Sequence, residues 1–126
     1  MISVLLRILV VEDDQALLAV LCDMLGSLGY CAVGVSCAED ALEQLRSASF
    51  HVLLSDINLP GMSGLELAAT AVAMAPGISV VFSSGYGYLL TDKLQFEFQL
   101  LHKPYHLQEL ARVLRASIKH LSNAAQ

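Results

Sequence analysis

Four acidic residues and one lysine have the types and spacing to carry out chemistry. Glu12, Asp13 and Asp14 form a run, Asp56 follows an apolar stretch, and Lys103 follows another. If folding gathers the acids, their carboxylates repel one another unless a cation or protons intervene. Mg²⁺ prefers oxygen ligands and is commonly held by one or two carboxylates and a phosphate oxygen. A carboxylate nucleophile, a metal and a cation are the groups that phosphoryl transfer needs, so we predict that chemistry.

The elements that must position these residues alternate along the chain. Short runs rich in leucine or β-branched residues predict five buried strands at residues 6–11, 30–35, 51–55, 78–83 and 98–102. Longer segments with helical spacing lie between them, which indicates a parallel sheet covered on both faces and an α/β fold.

Five helices are predicted between and after the strands. The first carries an apolar stripe and ends at Gly29, and the second begins at a capping box of Ser36 and Glu39 and runs to about residue 46. Ser63 and Glu66 repeat that spacing and begin the third. A short fourth helix is predicted at residues 91–95, and the fifth follows Pro104.

The polar residues stand at the ends of four of the five predicted strands. Glu12 and its neighbours follow the first strand, Asp56 the third, Ser83 and Ser84 the fourth, and Lys103 the fifth. In an open α/β sheet the ligand site lies beyond the carboxyl ends of the strands. We therefore expect these side chains to share one edge. Asp14 is equally well suited to cap the first helix.

The composition limits the class of protein. A chain of 126 residues fits one domain, and a net charge of -5 argues against direct binding to nucleic acid. No apolar run approaches the roughly 20 residues of a membrane-spanning helix, and no signal peptide is apparent. We expect a cytoplasmic protein that binds no membrane, with Cys22, Cys31 and Cys37 as reduced thiols.

Four sequence motifs together resemble a known family. They are Val-Val-Glu-Asp-Asp at residues 10–14, Asp-Ile-Asn-Leu-Pro-Gly-Met-Ser-Gly at residues 56–64, Ser-Gly-Tyr at 84–86 and Lys-Pro at 103–104. The pattern resembles the receiver domain of two-component response regulators, the CheY-like superfamily, over essentially the whole chain. The resemblance implies a flavodoxin-like, doubly wound sheet of five parallel strands in the order 2-1-3-4-5, with five helices. It also implies a single receiver domain over residues 1–126, with an ordered core of about 5–121.

The resemblance implies that Asp56 is the phosphoacceptor. The phosphoryl group would come from a phosphohistidine on a histidine kinase or a histidine phosphotransfer protein. Such a domain is not a classical enzyme, because it would catalyse only its own phosphorylation and slow dephosphorylation. In the family pattern, Lys103 pairs with Asp56 or its phosphoryl oxygens, and Ser84 supplies the switch hydroxyl.

The same resemblance implies a Mg²⁺ site. Asp13 resembles the direct metal ligand, Glu12 a ligand that acts through water, and Asp56 a further ligand. Asn58 would offer its backbone carbonyl oxygen to the metal.

The sequence departs from the family pattern at one switch position. Receivers usually carry an aromatic residue three positions before the lysine, and Leu100 stands there. The face made of the fourth helix, fifth strand and fifth helix is a candidate surface for a homodimer or an effector. Tyr86, two residues after Ser84, is placed to shield an acyl phosphate from water.

Two other functions are open from the residues alone, and a third is disfavoured. An aspartate-nucleophile phosphohydrolase needs a second acid two residues after the nucleophile, but Asn58 stands there and cannot donate a proton to a leaving group. A degenerate receiver that acts only as a protein-binding module would not need the acids and Lys103 that this sequence has. A flavodoxin-like flavin binder is disfavoured because the acidic run after the first strand would repel a phosphate.

Overall fold

The computed structural model describes residues 5–85 and 94–125, with side chains described up to residue 118. The strands are β1 (Arg7–Val11), β2 (Cys31–Val35), β3 (Val52–Asp56), β4 (Ser79–Ser84) and β5 (Gln99–His102). The helices are α1 (Gln15–Ser27), α2 (Ala38–Ser47), α3 (Gly64–Met74) and α4 (Leu107–Ala125). No helix in these ranges is long and apolar enough to cross a membrane.

The five strands form one parallel sheet in the order β2-β1-β3-β4-β5. The predicted fold class and strand order are therefore confirmed, and every strand boundary falls within one residue of its prediction. The order reverses beside β1, which lies between β2 and β3. In a doubly wound sheet this reversal opens a crevice at the carboxyl ends of the strands.

The described residues contain four helices, whereas five were predicted. The predicted helix at residues 91–95 falls on residues outside the described ranges, except for Leu94 and Gln95, which are not helical.

Each face of the sheet has its own hydrophobic core. Strand side chains alternate between the faces, and α1 and α4 cover one face while α2 and α3 cover the other. On the α1/α4 face the core strand residues are Ile8, Val10, Val52, Leu54, Val81 and Leu101. On the α2/α3 face they are Leu9, Val11, Leu53, Val80 and Phe82.

Three helix ends follow the predicted signals and one does not. Asp14 caps α1 by accepting a hydrogen bond from the Leu17 amide, and Ser63 caps α3 by accepting one from the Glu66 amide. Gly29 has a φ of 93° and ends α1, where the Tyr30 amide bonds to the Leu25 carbonyl in a Schellman arrangement.

The capping box predicted at Ser36 and Glu39 is wrong. Cys37 occupies the N-cap of α2 with extended backbone angles, and it makes no side-chain capping bond. Glu39 and Asp40 lie in the first turn instead, where their negative charge favours the positive end of the helix dipole.

Candidate phosphoryl-transfer site

Two buried carboxylates lie on the α1/α4 face of the sheet, at the carboxyl edge. Glu12 continues the alternation of Ile8 and Val10 one residue beyond β1, and Asp56 continues that of Val52 and Leu54 at the last position of β3. Glu12 is 3% exposed and Asp56 is 8% exposed. Carboxylates are rarely this buried unless they are paired.

Lys103 supplies the partner for both buried acids. Its Nζ donates hydrogen bonds to Asp56 Oδ2 at 2.8 Å and to Glu12 Oε1 at 2.9 Å. These residues are 47 and 91 positions from Lys103 in the sequence. One ammonium therefore bridges two carboxylates from different strands.

Backbone amides orient the remaining oxygens of the two carboxylates. The Asn58 amide donates to Asp56 Oδ1 at 3.0 Å, and the Asp14 amide donates to Glu12 Oε2 at 3.1 Å. Both bonds run from a residue two positions further along the chain, as in an Asx turn or its glutamate counterpart. Each carboxylate is thus fixed by one local amide and by Lys103.

Asp13 completes a cluster of three acids. Single carboxylate oxygens of Glu12, Asp13 and Asp56 all lie within 4.8 Å of one another. Asp13 is exposed whereas the other two are buried, so the cluster opens to solvent on one side. An all-oxygen donor set with an open side suits a hard divalent cation that retains water, such as Mg²⁺.

The charges of the cluster act on one another through a poorly solvated region. Burial raises the pKa of Glu12, and the hydrogen bond from Lys103 offsets part of that rise. Burial alone lowers the pKa of Lys103, but its hydrogen bonds to Asp56 and Glu12 outweigh this effect and raise it overall. Lys103 is therefore held as an ammonium ion beside the acids.

Comparison with known protein families shows which family has this sequence. The model of the response regulator receiver domain family matches residues 8–115. The chain belongs to the receiver domain family. In this family the domain is the phosphoacceptor of two-component signalling systems.

Two curated relatives illustrate the likeness of this receiver domain. The response regulator receiver protein CpdR of Brucella abortus is 32% identical over 82% of this chain and 89% of its own length. The DNA-binding transcriptional regulator NtrC of Escherichia coli is 30% identical over 93% of this chain, but only 26% of its own length is matched. The chain thus spans most of CpdR and about a quarter of NtrC.

Solved structures show the same fold. The CheY-like receiver domain protein of Methanospirillum hungatei superposes with a TM-score of 0.88 at 26% identity, over 96% of this chain and 99% of that one. The signal receiver domain of an HD domain-containing protein from Pseudomonas fluorescens also has a TM-score of 0.88, at 25% identity.

The receiver's predicted switch serine lies at the end of β4. Ser84 is 5% exposed, and its carbonyl accepts a hydrogen bond from the Lys103 amide at 3.1 Å. This bond ties the β4 edge to the loop that carries Lys103. The Lys103–Pro104 peptide bond in that loop is cis.

Gly64 and Tyr105 were given no role from the sequence, and Ser83 was named there only as a polar residue at the end of the fourth strand. Gly64, the first residue of α3, lies so close to Asp56 that a Cβ would overlap the Asp56 carbonyl oxygen. Ser83 lies opposite Asp56 in the β3–β4 register, and Tyr105 packs against the α1/α4 core. Strand alternation from Val81 would have placed Ser83 on the face of Asp56, but no sequence signal connects Tyr105 to Ser83.

Some predicted features lie outside the described residues. Tyr86 and most of the predicted fourth helix are among them. Asn58 is described and exposed. The hydrogen bond from its backbone amide to the Asp56 carboxylate places it beside the cluster.

Proposed function

We propose that Asp56 accepts a phosphoryl group from a phosphohistidine on a histidine kinase or a histidine phosphotransfer protein. The observation that supports this proposal most is the buried Asp56 carboxylate, 2.8 Å from the Lys103 ammonium and within 4.8 Å of the other acids. A carboxylate that is fixed, accessible from one side and balanced by a cation suits nucleophilic attack on phosphorus.

In the reaction, an oxygen of Asp56 forms a bond to phosphorus while the bond between phosphorus and the histidine nitrogen breaks. The electron pair of the broken bond remains on the imidazole, which recovers a proton from solvent. Lys103 offsets negative charge on the transferred oxygens, and the Asn58 amide keeps the carboxylate in its orientation. These groups position and stabilise charge, which is most of what phosphoryl transfer requires of a protein.

Mg²⁺ is the cofactor of the proposed reaction. Asp13, Asp56 and the backbone carbonyl of Asn58 are the proposed ligands, with Glu12 acting through a water molecule. When bound, the ion would screen the acids and the incoming phosphoryl group from one another. Lys103 bridges Glu12 and Asp56, so it would share these carboxylates with a bound ion.

Ser84 is the proposed switch residue of this single receiver domain. Its hydroxyl would donate to a phosphoryl oxygen and so bias the surface of the domain between two states. Leu100 is half-buried and packs against the α2/α3 core. This position therefore has no aromatic ring that could change orientation when the domain surface changes state. We propose that the face containing β5 and α4 contacts an effector or a second copy, in a cytoplasmic setting.

A hydrolase function is less well supported by the site. Asn58 is exposed and its backbone amide already bonds to Asp56, and its side-chain amide cannot act as a general acid. The domain would therefore catalyse its own phosphorylation and only slow dephosphorylation.

The proposal is tested with acetyl phosphate as a small-molecule donor. Intact-mass spectrometry with Mg²⁺ should show one added phosphoryl group on the parent protein and none on Asp56→Asn. Asp23→Asn, an exposed acid on α1, is the matched control and should be phosphorylated like the parent. Phosphorylation of Asp56→Asn to the parent level would refute the assignment.

A further inference from the structure

Two buried hydroxyl groups lie behind the phosphorylation site and take no part in the proposed reaction. The side-chain oxygens of Ser83 and Tyr105 are both inaccessible to solvent, and neither has a hydrogen-bond partner among the described residues. Ser83 is 3% exposed. Buried polar groups without partners are rare and unfavourable, so a pair of them beside a reactive site calls for an explanation.

The position of Ser83 connects it to the acceptor. Asp56 and Ser83 are direct neighbours in the register of β3 and β4. Paired residues of parallel strands project from the same face, so the Ser83 side chain lies on the α1/α4 face beside the Asp56 carboxylate.

The position of Tyr105 connects it to Lys103, two residues earlier in the chain. The Tyr105 ring packs against the α1/α4 core. Burial raises the pKa of its phenol, the Ser83 hydroxyl and the Lys103 charge oppose that rise, and the charges of Glu12 and Asp56 add to it. The phenol therefore lies near both the Ser83 hydroxyl and the charged cluster, although the two hydroxyls do not meet the geometry of a direct hydrogen bond.

The loop that carries Lys103 thus meets the end of β4 at two points, at the lysine itself and again two residues later. The Lys103 amide bonds to the Ser84 carbonyl at 3.1 Å, and two residues later the Tyr105 hydroxyl faces Ser83. We propose that rotation of the Ser83 side chain brings the two hydroxyls into a hydrogen bond, and that Ser83 and Tyr105 then act as one unit that positions Lys103 for the reaction at Asp56. They are positioning residues, since neither is assigned a contact with the phosphoryl group.

This inference rests on the proposed phosphorylation of Asp56. If the pair positions Lys103, its loss should weaken the contacts that Lys103 makes with a phosphoryl group much more than it weakens metal binding, because Lys103 meets the metal only through the carboxylates that they share. General damage to the site would weaken both. The two affinities therefore separate a positioning role from a merely structural one.

The test uses Tyr105→Phe and Ser83→Ala, which each remove one hydroxyl, together with the double variant. Mg²⁺ affinity and the affinity for beryllofluoride in the presence of Mg²⁺ are measured by backbone NMR, and phosphorylation by acetyl phosphate is followed by intact mass. Each single variant should lose about fivefold in beryllofluoride affinity and in phosphorylation rate, the size of one modest hydrogen bond. Mg²⁺ affinity should remain within about twofold of the parent, since no proposed ligand is altered.

The double variant tests whether the two hydroxyls act as a unit. A coupled pair predicts that the double variant is little worse than either single variant, whereas independent groups predict that their losses multiply. Tyr30→Phe and Ser117→Ala are the matched controls. Tyr30 packs against the same core, and the buried Ser117 hydroxyl donates to the Val113 carbonyl within α4.

The outcomes separate this inference from the proposed function. If the parent protein is not phosphorylated, the assignment of Asp56 fails. If the parent is phosphorylated while both single variants match it in rate and beryllofluoride affinity, only the positioning role is overturned. Equal losses of Mg²⁺ and beryllofluoride affinity, or multiplying losses in the double variant, would also overturn it.

Discussion

At the amino-terminal edge of the sheet, the Arg7 guanidinium carbon lies 4.8 Å from the centre of the Phe50 ring, and the Arg7 amide donates to His51 Nδ1 at 3.0 Å. At the carboxyl-terminal edge, one ammonium faces two buried carboxylates and a third acid lies nearby. The amino-terminal edge thus places its cation against a neutral ring, whereas the carboxyl-terminal edge concentrates unbalanced negative charge.

Packing also differs between Gly64, which lies beside Asp56, and two glycines at the amino-terminal edge. Gly64 at the carboxyl edge leaves no space for a Cβ, whereas Gly26 near the end of α1 and Gly77 before β4 have nothing within 4 Å of one. The comparison indicates that the amino-terminal edge serves stability and tolerates change. The carboxyl-terminal edge holds closely packed charged groups, which lower stability but serve the proposed reaction.

The largest expected effect on phosphorylation comes from removing the cation of each edge in turn. Lys103→Met leaves Glu12 and Asp56 buried without their shared donor, so phosphorylation by acetyl phosphate should fall more than tenfold. The metal-free protein should lose about 2 kcal/mol of unfolding free energy.

Arg7→Met is the matched variant at the amino-terminal edge. It should lose about 0.5 kcal/mol with its cation–π contact and be phosphorylated at the parent rate. Urea unfolding and intact-mass kinetics measure both quantities. Equal phosphorylation rates in the two variants would contradict the functional distinction between the edges.

The largest expected effect on stability concerns Gly64 and Gly26. Gly64→Ala forces a methyl group onto the Asp56 carbonyl, and such overpacking against backbone should cost about 3 kcal/mol. Gly26→Ala in the open part of α1 should instead gain about 1 kcal/mol from helix propensity. Thermal unfolding of both variants would show the opposite signs, and a stable Gly64→Ala protein would show that the contact is not tight.

Mg²⁺ should stabilise the carboxyl-terminal edge by mass action. At a concentration one hundred times its Kd, the ion should add about 2.7 kcal/mol to the unfolding free energy, and a chelator should reverse this gain. Asp13→Asn should lose most of the gain, while Asp23→Asn keeps it. An unaltered gain in Asp13→Asn would exclude Asp13 as a ligand.

The smallest expected effect is the alkaline response of Tyr105. Burial raises the pKa of its phenol above the ordinary value of 10.0, so the folded state binds that proton more tightly than the unfolded state. The stabilisation is complete below pH 10.0 and is lost as the pH rises through the folded-state pKa.

Tyr105→Phe should therefore lose less stability than the parent above that pH, whereas Tyr30→Phe provides the comparison for a tyrosine elsewhere on the same core. Unfolding free energies across the alkaline range measure the difference. A parallel decline in the parent and Tyr105→Phe would show that the phenol is not buried as described.

Much of the fold could be predicted because each strand is short, apolar and bounded by polar residues. The alternation that buries Ile8 and Val10 also carries Glu12 to the same face, so the gathering of Glu12, Asp56 and Lys103 follows from strand ends alone. Local choices were harder to predict. Ser36 and Cys37 are adjacent, and only the backbone shows that α2 begins after Cys37 without a side-chain cap.

Contacts that depend on packing between distant segments could not be predicted. The closeness of Gly64 to the Asp56 carbonyl depends on how α3 meets β3, and the facing hydroxyls of Ser83 and Tyr105 depend on the path of the loop after β5. Neither has a periodic pattern or a fixed sequence spacing, so both become visible only in three dimensions.

The most direct test of the central claim is chemical identification of the phosphorylated side chain. After incubation with acetyl phosphate and Mg²⁺, borohydride reduces an acyl phosphate to an alcohol, which turns a phosphorylated aspartate into homoserine. Peptide mass spectrometry should then find homoserine at the position of Asp56, and none in a sample incubated with chelator. Homoserine at the position of Asp13 instead, or at no position in the phosphorylated protein, would contradict the account.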